Sequence, residues 1–108
     1  MIEIDVHTLQ RRLAAGNAIV IDVRTDEELA LARLDGTRHL PMQALVAGLA
    51  DLKQDLNPDA PIAVLCHHGV RSLMAARFLE QNGFTDVSSV AGGIDAWSLQ
   101  IDPSVPRY

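Results

Sequence analysis

The residues best placed to do chemistry form one short run, Cys66-His67-His68-Gly69-Val70-Arg71-Ser72, which opens on the only cysteine of the chain. An apolar stretch, Ile62-Ala63-Val64-Leu65, precedes it, and helix-spaced Leu73, Ala76 and Leu79 follow. The run therefore joins the end of a buried strand to the start of a helix expected over residues 72–81. Backbone N–H groups of residues 67–71 can converge there as an anion nest, reinforced by the helix dipole. Gly69 allows the tight curl. Sulfur held in such a nest is favoured as the thiolate, the form that attacks. The chemistry expected is nucleophilic catalysis at sulfur, and the competing reading is an inert core cysteine. Arg71 suits an anionic donor or intermediate, or else pairs with Glu28 or Asp22 as a helix-start arginine. His67 and His68 either line the mouth or are solvated loop residues. A metal held by Cys66, His67 and His68 is the weaker alternative, because consecutive residues rarely converge on one ion.

The elements that must position this loop alternate along the chain. A short apolar run, residues 2–6, leads to Asp5 as a helix cap, with Val6, Leu9 and Leu13 on one face. Gly16-Asn17 ends that helix. Residues 18–21 form a β-branched strand that finishes in Asp22-Val23-Arg24. Thr25 and Glu28 make a capping box for a helix to about residue 32. Asp35-Gly36 turns into a minimal strand over 38–40. Pro41 fits the first turn of the next helix, whose buried face is Leu45, Leu49 and Leu52. Residues 57–61 turn into the Cys66 strand. Asn82-Gly83-Phe84 reads as a Schellman stop, residues 87–90 as a strand and 94–99 as a last helix. Pro103 and Pro106 predict an extended tail over 100–108.

Such alternation implies a parallel sheet with helices on both faces. Ligands of these sheets bind beyond the carboxyl ends of the strands. Two segments put polar residues there: Asp22/Arg24 and Cys66. Arg24 is a candidate source of positive field at the pocket, and Asp22 a support for the adjoining loop. Trp97 is expected as packing beneath the site.

With 108 residues, the chain is expected to be a single domain, with its core over about residues 4–99. It is 48% apolar and 21% charged, an ordinary globular balance. A net charge of −5 and the lack of a basic run make nucleic acid and anionic membranes poor partners. One cysteine excludes an internal disulfide, a Cys-x-x-Cys pair and a Cys-rich zinc site. No apolar run is long enough to span a bilayer. The first residues lack a secretory pattern, so the expected location is cytoplasmic.

Ile21-Asp22-Val23-Arg24, Cys66-x-x-Gly69-x-Arg71-Ser72, Gly83-Phe84 and Ala91-Gly92-Gly93-Ile94-x-Ala96-Trp97 occur in order over nearly the whole chain. Together they resemble the rhodanese-like sulfurtransferases. The resemblance implies a three-layer α/β/α fold on a five-stranded parallel sheet of order 1-5-4-2-3. It also implies that Cys66 accepts sulfur from a donor such as thiosulfate, becomes a persulfide, and yields the sulfur to cyanide or a thiol. Residues 67–71 would be the anion cradle, with Ser72 at its end, and no metal or cofactor beyond the covalent sulfur is expected. One departure stands out. The family's Gly-His-Ile-Pro-Gly-Ala motif reads Ala32-Arg33-Leu34-Asp35-Gly36-Thr37 here, so no catalytic role passes to that segment.

Two other functions compete. One is a sulfur carrier that relays persulfide sulfur between partner proteins, which the acidic net charge favours over capture of a small dianion. The other is a cysteine phosphatase or arsenate reductase. Phosphatases of this type place five residues between Cys and Arg, whereas four stand here, so the loop suits a sulfur atom better than a phosphate.

Overall fold

The computed structural model describes residues 2–108. Its strands are β1 (Ile2–Ile4), β2 (Ile19–Asp22), β3 (Arg38–His39), β4 (Ile62–Leu65) and β5 (Val87–Val90), and its helices are α1 (Val6–Ala14), α2 (Asp26–Leu31), α3 (Leu45–Asp55), α4 (Val70–Gln81) and α5 (Gly93–Gln100). All strands pair in parallel, in the order β1-β5-β4-β2-β3. Among the described residues, no helix is long and apolar enough to cross a membrane.

The two-residue period of the strands sorts the core into two layers. Ile21, Val23, Ile62, Val64, Cys66 and Val87 face Leu45 and Leu52 of α3 and Ala75, Ala76 and Leu79 of α4. Val20, Ala63, Leu65 and Val90 face Val6 and Leu9 of α1 and Ile94 of α5. Cys66 thus shares the phase of Ile62 and Val64, which turns its side chain toward α4. Ser89, two residues after Val87, falls on the same face.

Local signals fix most element ends. Asp5 accepts from the Thr8 N–H at 2.8 Å. Thr25 and Glu28 close a reciprocal capping box. At the end of α4, Phe84 N–H donates to Leu79 O at 3.2 Å and Gly83 N–H to Glu80 O at 3.3 Å, with Gly83 at φ +102°. That is a Schellman closure, and it buries the Phe84 ring.

Four expectations are corrected. Helix α4 starts at Val70, two residues early, and its buried face is Ser72, Ala75, Ala76 and Leu79 rather than Leu73. The small residues let the helix lie close to the sheet. Pro41 caps a separate 3-10 turn, Met42–Ala44, before α3 begins. Leu13 is exposed at the end of α1, where it borders a surface recess with Trp97 and Val105. The tail is not extended: the Ser104 N–H and hydroxyl both bond Asp102 Oδ1, and Val105 N–H bonds Asp102 O, turning the chain back.

Candidate active site

Cys66 follows the carboxyl end of β4, and its sulfur lies beneath the first turn of α4. Gly69 N–H donates to Sγ at 3.0 Å. Gly69 caps the helix at φ +104°, a left-handed conformation that glycine adopts without strain. The thiol donates to Ser72 Oγ at 3.3 Å, and Ser72 Oγ lies 2.8 Å from Ser89 Oγ. Hydroxyl rotors reverse readily. When the sulfur is ionised, the Ser72 hydroxyl can turn and donate to it, with Ser89 donating in turn to Ser72. An anion on Cys66 is thereby offered two donors, one from the main chain and one from a buried side chain. The residue is only 1% exposed, so the sulfur sits at the bottom of the loop.

The loop itself is held from α5. Ile94 N–H donates to Cys66 O at 2.9 Å and Asp95 N–H to His67 O at 3.2 Å. Gly93 lies directly against both carbonyls, and a β-carbon there would clash with them. The Gly92-Gly93 pair therefore provides the flat seat on which the Cys66 loop rests.

Arg71 stands at the mouth, bonded to both carboxylate oxygens of Glu28. The Arg71 guanidinium holds the Glu28 carboxyl far below the usual carboxylate range against the opposing effect of burial, and Tyr108 and Thr25 assist. Glu28 in turn raises Arg71. His68 is exposed, with Nδ1 3.9 Å from Asp95 Oδ2. His67 lies between two rings, stacked on Tyr108 at 3.9 Å and tilted against His68 at 3.8 Å. Burial, and next the neighbouring His68, lower its pKa, so its ring is neutral at pH 7. Val70 projects outward and is exposed, which leaves only its backbone to the loop.

Arg24 is placed differently from the expectation of a pocket cation. It is fully buried, with Nε and Nη2 on Asp22, Nη2 also on Ala32 O, and Nη1 on Glu28 O and the Tyr108 hydroxyl. Burial opposes its charge, but Asp22 and Tyr108 outweigh that and raise its pKa. No donor is left facing the sulfur. Asp22 accepts the Arg24 N–H as well, at 3.1 Å, so it does support the loop after β2. Trp97 belongs to the α1/α5 layer and lines a surface recess with Leu13, Leu34 and Val105, away from the α4 layer that receives Cys66. Arg33, in place of the family's histidine, is exposed. Among the described residues, no three His, Cys, Asp or Glu side chains converge as a metal would require.

Ser89 and Tyr108 were not legible as site residues. The two-residue strand period could have found Ser89. Nothing local marks Tyr108, whose partner Glu28 is 80 positions away.

The rhodanese-like domain profile matches residues 5–100. The chain belongs to the rhodanese-like domain family. The rhodanese-like/PpiC domain-containing protein 12 of Arabidopsis thaliana, a chloroplastic protein, is 40% identical over 84% of this chain, which spans only 30% of that relative's length. The thiosulfate sulfurtransferase GlpE of Pseudomonas paraeruginosa is 39% identical over 81% of this chain and 76% of its own. The crystal structure of a rhodanese-like domain protein from Staphylococcus aureus superposes with a TM-score of 0.78 at 29% identity, covering 100% of this chain and 99% of that one. The five-stranded order, the Cys66 loop and its Gly92-Gly93 seat are thus read as parts of a rhodanese-like domain.

Proposed function

We propose that this rhodanese-like domain is a cytoplasmic sulfurtransferase that moves sulfane sulfur from a small donor such as thiosulfate to a thiophilic acceptor through a Cys66 persulfide. The observation that carries this reading is the Cys66 sulfur beneath the α4 N-terminus, with Gly69 N–H donating to it at 3.0 Å and Ser72 beside it. The likeness to a protein named thiosulfate sulfurtransferase supports the reaction class. An unpaired thiol suits a reducing compartment.

In the first step the Cys66 thiolate attacks the outer sulfur of thiosulfate. A new S–S bond forms on Cys66 while the S–S bond of the donor breaks, and sulfite leaves with the electron pair. In the second step cyanide or an external thiolate attacks the terminal sulfur of Cys66–S–S⁻. The C–S or S–S bond to the acceptor forms as the S–S bond on Cys66 breaks, and Cys66 leaves with the electron pair as the thiolate. The cycle is covalent and ping-pong. The α4 amides and dipole favour negative charge on whichever sulfur is terminal. Cys66 is the only cysteine, so the acceptor comes from outside the chain. Arg71, at the mouth, orients the anionic donor. No metal or cofactor enters these steps.

The relay between proteins is the second reading. It is favoured by the Arg71–Glu28 pair, which neutralises the Arg71 charge at the mouth, and by the net charge of −5. The phosphatase reading fits less well. Only four residues separate Cys66 from Arg71, and Arg71 turns to Glu28 rather than over the sulfur.

Intact mass spectrometry after incubation with thiosulfate tests the proposal. The expected product is one sulfur atom heavier and returns to its original mass with cyanide. No mass gain at Cys66 would refute it.

A further inference from the structure

The segment that follows α5 is fastened at the Cys66 loop from two sides. On one side, Arg107 Nε donates to Asp95 Oδ1 at 2.8 Å, on the helix whose first amides hold the Cys66 and His67 carbonyls. On the other side, the Tyr108 hydroxyl donates to Glu28 Oε2 at 2.7 Å and accepts from Arg24 Nη1 at 2.9 Å. Between these anchors the Tyr108 ring lies nearly parallel to His67, at an interplanar angle of 10°. His67 Nε2 is buried without a hydrogen-bond partner, and the ring is held by its stacking on Tyr108 together with a hydrogen bond to the Tyr108 backbone. The Asp102–Ser104 turn directs the chain along this course.

Resting on the sulfurtransferase reading, we propose that Arg107 and Tyr108 form a strap that sets donor size, admitting small sulfur compounds to Cys66 and turning away persulfides carried on proteins. A protein donor must bring its own backbone up to a sulfur that is 1% exposed. His67 follows Cys66 directly, so the His68–His67–Tyr108 stack stands beside the loop that such a backbone would have to reach. Thiosulfate needs only a small displacement of those rings. The fastenings suit a strap that yields locally, since the Arg107–Asp95 pair lies at the surface and is weak. The Tyr108 end is firmer, because its hydroxyl bonds the buried Arg24 and the Arg71-paired Glu28.

The test uses the full chain with Tyr108→Ala, Tyr108→Phe and Arg107→Ala. Two ratios are measured. One is the rate of sulfur uptake from persulfidated serum albumin over that from thiosulfate. The other is the rate of Cys66 alkylation by a polyethylene glycol-linked maleimide over that by iodoacetamide. Tyr108→Ala removes the stack and both hydroxyl bonds and is expected to raise both ratios about tenfold. Tyr108→Phe keeps the stack, and Arg107→Ala removes one surface pair; each is expected to raise them about twofold. Unchanged ratios in Tyr108→Ala overturn the strap. The alkylation ratio needs no sulfur transfer. A wild type that takes no sulfur from thiosulfate, with the alkylation ratio still raised in Tyr108→Ala, therefore refutes the sulfurtransferase reading and leaves the strap's control of access to Cys66 standing.

Discussion

The carboxyl ends of β2 and β4 are neighbours in the sheet and both carry polar residues, yet they are built to opposite purposes. At the end of β2, Asp22 and Arg24 are fully buried and satisfy one another, and main-chain carbonyls and Tyr108 take the remaining guanidinium donors. At the end of β4, the Cys66 sulfur accepts from a main-chain N–H and donates to a serine oxygen whose hydroxyl can turn to it. The Arg71 guanidinium beside it stays one-third exposed. On the proposed function, a strand end serves reaction when its polar groups face an atom that can change its charge and partner. A buried ion pair whose donors are all occupied serves as a structural joint, here between β2 and α2.

The sharpest break of the comparison is at the sulfur. Cys66→Ser is expected to abolish sulfur transfer to the uncatalysed background while leaving the thermal midpoint nearly unchanged, since serine is of similar size and Ser72 remains as a partner. Transfer at the wild-type rate would remove Cys66 from the mechanism. The β2 end should behave in the reverse way. Arg24→Ala leaves Asp22 buried without its partner, a loss of about 3–5 kcal/mol in the folded state. Urea unfolding should show it as a lower midpoint at similar slope. The variant that remains folded should still gain one sulfur from thiosulfate. A normal midpoint with lost loading would make Arg24 part of the site instead.

Arg71 lies between these extremes. Its pair with Glu28 is part-exposed, so Arg71→Ala is expected to change stability by less than about 1 kcal/mol. It should lower kcat/KM for thiosulfate about tenfold, mainly through KM, as for a group that binds the donor in ground and transition states alike. A large stability loss with unchanged specific activity would class Arg71 with Arg24.

The difference between the two strand ends also explains what the sequence disclosed. The capping box, the Schellman stop and the Cys66 loop were legible because their partners lie within a few positions. The sheet order followed from family resemblance, since alternation of elements alone leaves the order open. Arg24 was misplaced because a charged residue just past a strand end looks the same whether it faces solvent or closes on Asp22 and Tyr108. The apolar spacing of Leu73, Ala76 and Leu79 predicts a later start for α4 than the structure has, because the sheet contact selects the smaller Ser72 and Ala75. The prolines of the tail predict an extended course, but that course is set by Asp95, Glu28 and His67, at separations that leave no local trace.

The smallest expected effect isolates the charge that joins the two ends, Glu28. Its carboxylate is bonded by Arg71, Tyr108 and Thr25, and its folded pKa is depressed, chiefly by Arg71. A depressed carboxyl contributes stability that is present above its unfolded pKa of about 4.3 and is lost as pH falls toward the folded value. Glu28→Gln keeps the capping box, because glutamine also serves at the third helical position, and removes the charge together with one of the two acceptor oxygens. The wild type should therefore melt above Glu28→Gln at pH 7. The gap should start to close below about pH 5 and keep narrowing through pH 3 toward the lowest pH at which both proteins stay folded. Calorimetry of both proteins across that range reads the closing gap directly. A gap independent of pH would mean that Glu28 acts through hydrogen bonding and shape alone, and that Arg71 is held at the mouth without its counter-charge.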